Sequence, residues 1–192
     1  ITGPAARRKV HALRLSHDAV LVGSGTALAD DPDLTVREMG NVRQPVRIVV
    51  DRGLKHAPES RLGQTARANP VWLVHGPSAP VAAREAWLAA GATLIEAQDS
   101  EGRLDLTDAL RTLADRGLTR ILVEGGSTLG AALLRAGLVD DLALFSGAAL
   151  IGDEGHPALG PLGLTALAKA PRPALRETQV LGPDLYSLWS LS

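Results

Sequence analysis

The sequence predicts an α/β fold, with a mostly parallel central sheet flanked by helices and an antiparallel hairpin at the C-terminus. Three observations carry this. Short apolar, β-branched runs alternate with amphipathic helical segments, the pattern of a parallel sheet covered on both faces. Several of those runs end in glycines or acids, as at Gly23, Asp51 and Glu124-Gly125-Gly126. The last two strand-like runs flank Gly182-Pro183-Asp184, a turn sequence.

From the N-terminus, Thr2 and Pro4 mark a helix start, and the helix runs to about Leu15. Ala6, Val10 and Leu13 form one face; Arg7, Arg8, Lys9, His11 and Arg14 form the other side, on which Arg7, Arg8 and Lys9 read as solvated. Ala19 to Val22 is a strand. It leads into Gly23-Ser24-Gly25-Thr26, a loop able to approach a ligand, although Leu28 stands where a dinucleotide fingerprint needs its third glycine. Asp31-Pro32 is a turn, and Leu34 to Val36 reads as a short extended piece. Pro45 to Val50 is a strand ending at Asp51-Arg52. An acid there suits a ribose hydroxyl and an adjacent arginine a 2′-phosphate; a turn acid beside a solvated arginine is the alternative.

Residues 54–69 read as polar and irregular. Val71 to Val74 is a strand, Ser78 is the expected cap of a helix through Ala90 with Gly91 as its stop, and Thr93 to Ile95 is a short strand. Asp105 opens a helix ending at Gly117. Ile121 to Val123 is a buried strand, followed by the Gly125-Gly126 turn and a helix for which Ser127 is the expected N-cap and Gly137 the C-terminal glycine. A helix opening on glycines offers free N–H groups and a positive dipole end to a phosphate. Leu142 to Phe145 is a strand, residues 149–155 form a glycine-bounded loop, and Ala174 to Val180 and Leu185 to Leu191 make the hairpin.

Composition narrows the function classes. A chain of 192 residues suits one domain with a substantial core. The net charge of −1 provides no global field for nucleic acid or a membrane surface. With no cysteine, disulfides and thiolate zinc sites are excluded within these residues, and a cytoplasmic enzyme is the expectation. No apolar run is long enough to span a bilayer. Three strand ends bearing glycine or acid favour a nucleotide-sized ligand.

The ordered series of motifs resembles the reductase domain of riboflavin biosynthesis. It comprises Arg7-Arg8 through Leu13-Arg14, Asp18 to Gly23 with Thr26, and Leu28 to Arg37. It continues with Gln44 to Asp51, Val123 to Leu129, Leu133 to Asp141 and Leu150-Ile151-Gly152. The resemblance covers the whole chain. It implies a dihydrofolate-reductase-like fold, a homodimer, and NADPH-dependent reduction of 5-amino-6-(5-phosphoribosylamino)uracil to the ribitylamino compound. It assigns Arg14, Leu34, Arg37 and Glu124 to the substrate. To NADPH it assigns Thr26, Asp30, Arg52 and the run Gly126, Ser127, Thr128, Leu129, Gly130, Ala131 and Ala132. Arg14 and Arg37 would grip the 5-phosphate and Glu124 the ribose hydroxyls. It names no metal and no proton-transfer residue.

Two departures from the family pattern matter. The deaminase half that many bacterial relatives carry upstream is not in these residues. Nor is the reductase's usual first strand, so the single domain at residues 1–192 is expected to need a strand from upstream. Two other readings remain: an NADPH reductase of another substrate, and a nucleotide-binding remnant without turnover. The paired arginines argue against an uncharged substrate.

Overall fold

The computed structural model describes residues 2–100 and 102–191. Ile1 and Ser192, which bound the expected domain, and Glu101 lie outside them. The chain runs α1 (Pro4–Leu15), β1 (Ala19–Gly23), α2 (Ser24–Asp30), β2 (Val46–Val50), α3 (Arg61–Gln64), β3 (Val71–His75), α4 (Val81–Ala90) and β4 (Thr93–Glu96). A small hairpin, β5 (Asp99–Ser100) and β6 (Arg103–Leu104), precedes α5 (Leu106–Asp115), β7 (Ile121–Val123) and α6 (Ser127–Arg135). The chain closes with β8 (Asp141–Ser146), β9 (Ala174–Leu181) and β10 (Asp184–Ser190).

The central sheet has five strands in the order β4-β3-β2-β1-β7, and its pairs are all parallel. Alternation sorts its side chains onto two covered faces. Val20, Val22, Val49 and Leu73 pack with Ala27 of α2, Leu62 of α3 and Trp87 of α4. Ala19, Leu21, Ile48 and Val74 pack on the other face with Leu113 of α5 and Leu129 and Leu133 of α6. α5 and α6 both stop on a left-handed glycine, Gly117 (φ +89°) and Gly137 (φ +67°). After each, the following amide bonds back to the last turn, as in Leu138 N–H to Leu133 O at 3.0 Å.

The C-terminal hairpin forms as expected, but as part of a second sheet of order β8-β10-β9. One face of this sheet packs on α1, through Tyr186, Leu181 and Ala6.

Several local expectations are corrected. Gly23–Thr26 is not a loop: α2 begins at Ser24, directly after the strand, because Gly23 itself caps the helix in extended geometry. Leu34 to Val36 is not extended, since Leu34 lies at φ +55°. Residues 54–69 include the short α3, capped by Ser60 and anchored by the fully buried Leu62. The N-cap of α4 is Pro80, not Ser78, and that of α6 is Gly126, not Ser127.

Candidate active site

Parallel strands place their carboxyl ends on one edge, where α/β sheets bind ligands. Here that edge carries, in spatial order, Glu96, His75, Asp51, Gly23 and Glu124. Two neighbouring strands, β1 and β7, supply both glycine-bearing turns.

The strongest interaction at this edge joins segments far apart in sequence. Arg14, in the last turn of α1, meets Glu124 at the end of β7 in a bidentate pair: Nε donates to Oε1 at 2.7 Å and Nη2 to Oε2 at 2.6 Å. The third direction of the guanidinium is filled by Thr35 O, accepting from Nη1 at 2.7 Å. Such a fork fixes both partners in plane, which a lysine could not do. Arg14 therefore orients the Glu124 carboxylate and anchors the 34–37 loop; its guanidinium is already engaged.

That loop carries Leu34 and Arg37, and Leu34 and the adjoining Glu38 have left-handed backbones. Leu34 (φ +55°) is buried, and Glu38 (φ +61°) is exposed. Left-handed geometry at non-glycine residues persists only where surroundings enforce it. Here Gln44 brackets Val36, its Oε1 accepting from Val36 N–H at 2.7 Å and its Nε2 donating to Val36 O at 3.2 Å. Arg47, fully buried in β2, donates through Nη1 to Asp33 O at 3.3 Å and Thr65 Oγ1 at 2.8 Å. Its Nη2 reaches Asn69 O at 2.6 Å and Thr65 O at 3.2 Å. Burial pulls the Arg47 pKa down to about 10, with Asp33 opposing, so it stays charged at neutral pH. Arg37 is free by comparison: its side chain is 61% exposed and only 4.0 Å from Asp33 Oδ2.

The two glycine turns converge. A Cβ on Gly125 would meet Thr26 Oγ1 at 3.3 Å, and one on Gly126 would lie 3.6 Å from the same atom. Both glycines have positive φ, +110° and +86°. The Gly126 cap contributes no side-chain bond, so the first amides of α6 stay open. A cradle that side chains would fill, at the start of a nine-residue helix, fits a cofactor phosphate. Within the run Gly126–Ala132, Leu129 and Ala131 are buried in the helix packing, Ser127, Gly130 and Ala132 are half-buried, with Gly160 N–H donating to Ser127 O at 3.0 Å, and Thr128 is exposed. Asp30 is exposed at the end of α2. Arg52 is drawn away from this turn: its Nε donates to Asp99 Oδ2 at 2.7 Å, and Nη2 contacts the same oxygen. This pair raises the Arg52 pKa.

Sequence reasoning missed three participants. Asp99 sits on the unforeseen β5–β6 hairpin. Arg47 had a visible signal, a charge inside the run Val-Arg-Ile-Val-Val. His11 carries no role in the sequence reading, yet it is 8% exposed and its Nδ1 accepts from Arg37 N–H at 3.3 Å. Burial, then Arg14 and Arg37, lower its pKa. Among the described residues no cluster of three or more His, Cys, Asp or Glu is placed to hold a metal.

Comparison with known proteins gives a consistent set of relatives. A family model described as the RibD C-terminal domain matches residues 1–187. The riboflavin biosynthesis protein RibD of Escherichia coli (strain K12) is 36% identical over 197 residues, covering 96% of this chain and 52% of that protein. A 2,5-diamino-6-ribosylamino-4(3H)-pyrimidinone 5′-phosphate reductase of Methanothermobacter thermautotrophicus is 35% identical, covering 96% of this chain and 85% of the relative. Among solved structures, Acinetobacter baumannii RibD, form 1, superposes with a TM-score of 0.84 at 27% identity, over 99% of this chain and 51% of that one. The chain thus spans about half the length of the RibD relatives it matches.

Proposed function

The chain belongs to the RibD C-terminal domain family, and from that membership and its site we infer that it is the reductase of riboflavin biosynthesis. It uses NADPH to reduce the ribosyl carbon C1′ of 5-amino-6-(5-phosphoribosylamino)uracil, giving the 5-phosphoribitylamino product. The observation that carries this reading is the bidentate Arg14–Glu124 pair. It sets a fixed carboxylate beside the glycine cradle at the ligand edge of the sheet, with an arginine-bearing loop next to it.

NADPH supplies the hydride, and the protein's part is orientation and exclusion of water. Glu124 accepts hydrogen bonds from the sugar hydroxyls next to the reacting carbon, with its plane held by Arg14. Gly126, Ser127 and Thr128 offer backbone donors to the cofactor phosphates, and Thr26 lines the same cradle. Asp30 takes part in the cofactor site from the end of α2. Arg52, paired here with Asp99, would be the residue to hold the 2′-phosphate. Leu34 supplies an apolar wall and Arg37 a charge for the substrate phosphate.

The test is NADPH consumption by the intact protein with three substrates. The phosphoribosylaminouracil should turn over, its dephosphorylated form should be poor, and dihydrofolate should be inert. Turnover of dihydrofolate alone would favour the reading as a reductase of another substrate.

The assembly belongs to the same proposal. Among the described residues, β7 pairs only with β1 and β8 only with β10. An upstream strand added at such an edge would satisfy its open N–H and C=O groups, each worth roughly 1–3 kcal/mol when buried and unpaired. The outer face of the second sheet carries exposed apolar residues: register places Val180, Leu185, Leu144 and Trp189 on the side opposite α1, among Thr178, Ser187 and Ser146. Val180 is 75% exposed and Leu185 43%. A second copy covering this face makes a homodimer.

A further inference from the structure

Residues 147–173 connect β8 to β9, and among the described residues their regular structure is two one-turn helices, Gly152–Glu154 and Leu167–Lys169. Connections this long in a compact domain usually have a function. The middle of this one is fastened along α6 at three places. Gly160 N–H donates to Ser127 O, at the first residue of the helix, at 3.0 Å. The Leu159 side chain lies over Gly130, where a Cβ would come within 3.5 Å of its Cδ2. Arg135, the last residue of the helix, donates through Nη1 to Pro161 O. The other side of α6 is packed on the sheet through Leu129 and Leu133. Residues 159–161 therefore strap the helix from outside, from its first residue to its last.

The approach at Gly160 leaves no room for a side chain. A Cβ there would sit 3.1 Å from Ser127 O and 3.5 Å from Thr128 Cα. The first is well inside the ~3.5–4.0 Å of a relaxed contact. Both neighbours are backbone atoms of a packed helix, so no rotamer change relieves the clash. Gly125 and Gly126 have positive φ and Gly160 does not; closeness, not conformation, requires this glycine. The bond it makes also reaches the cradle. Ser127 O belongs to the peptide unit that carries the Thr128 N–H. Thr128 is the second residue of α6, so that amide has no partner within the helix. A hydrogen bond at the oxygen end of a peptide unit polarises it and strengthens the donor at the other end.

We propose that Gly160, carried by the 159–161 strap, is a positioning residue for the cofactor: it fixes and polarises the Thr128 amide at the phosphate cradle. The proposal rests on the reading of that cradle as part of the NADPH site. Gly160 acts through the Ser127–Thr128 peptide and does not itself touch the cofactor. The coupling is reciprocal: a strap that strengthens cofactor binding is strengthened by bound cofactor by the same factor. The Gly160 amide is then harder to expose to solvent when NADPH is bound. The cradle receives phosphates that NADPH and NADH share, so the strap acts on both alike, and the choice between them is left to the 2′-phosphate site.

The test is calorimetry with NADPH and with NADH on the intact protein, together with amide hydrogen exchange with and without NADPH. Gly160→Ala should weaken both cofactors roughly tenfold and leave their ratio unchanged, with the loss falling on KM for NADPH rather than on kcat. Arg135→Gln, which releases only the Pro161 end of the strap, should weaken both a few-fold. In the wild type, NADPH should slow exchange of the Gly160 amide. Wild-type affinity in Gly160→Ala, a loss confined to NADPH, or exchange at Gly160 that NADPH does not change overturns the proposal even if the enzyme is an active reductase. Should Gly160→Ala fail to fold, Arg135→Gln decides, and wild-type affinity there overturns it. Strap-dependent NADPH binding without turnover of the ribosyl substrate would instead overturn the reductase reading and keep the strap.

Discussion

The two sheets of this molecule are built on opposite principles. In the parallel sheet, Val20, Val22, Val49 and Leu73 are 0% exposed, and helices cover both faces. In the antiparallel sheet, β9 is exposed along nearly its whole length, and only the face toward α1 is packed. The first half is held from within, by apolar packing and by buried polar struts such as Arg47. The second is left for other surfaces to complete. The proposed chemistry lies in the closed half and the proposed dimer contact on the open one, so the two can be tested separately.

The largest effect is expected from Arg47→Ala. It removes a buried side chain and leaves the carbonyls of Asp33, Thr65 and Asn69 without their donor. Loss of about 4 kcal/mol of stability is expected, read by urea unfolding; a loss under about 1 kcal/mol would mean that the strut is dispensable.

Glu124→Gln comes next, and it should separate site from fold. It keeps the side-chain shape and removes the charge from a pair whose side chains are 12% and 19% exposed. Turnover should fall by about 100-fold in kcat/KM, with the circular dichroism spectrum unchanged. Unaltered kcat/KM would take Glu124 out of the substrate site.

On the open half, Leu185→Glu should dissociate the proposed homodimer, measured by light scattering, and leave NADPH binding intact. A dimer that survives this charge on the outer face would place the interface elsewhere.

The smallest effect concerns Arg52. Asp99→Asn frees it from an exposed ion pair, so preference for NADPH over NADH should rise by only a few-fold, as for other exposed pairs. Arg52→Ala should reduce it. If neither variant changes the ratio of dissociation constants, the 2′-phosphate is recognised by other residues.

The contrast between the halves also explains what was legible in the sequence. Periodicity and glycine stops revealed the parallel sheet and its helices, because each signal is local. The carboxyl-end position of Glu124 and the Gly125-Gly126 turn were legible for the same reason. What the sequence hid was long-range. Arg14 and Glu124 are 110 residues apart, so the fork that engages both could not be read from either segment. The left-handed Leu34 has no residue-type signal; its geometry is enforced by neighbours on other elements. Gly23-Ser24-Gly25 suggested a loop, since two glycines weaken a helix, yet packing of Ala27 in the core carries α2. The separation of the second sheet follows from which strand edges meet, and no run of residues encodes that.

The most direct test of the central claim is the fate of the hydride. The intact protein is given 5-amino-6-(5-phosphoribosylamino)uracil and NADPH deuterated at the transferring carbon of the nicotinamide. The product is then examined by NMR and mass spectrometry. The account predicts a single deuterium at C1′ of the ribityl chain. Deuterium elsewhere, or oxidation of the cofactor with the ribosyl compound unchanged, would contradict it.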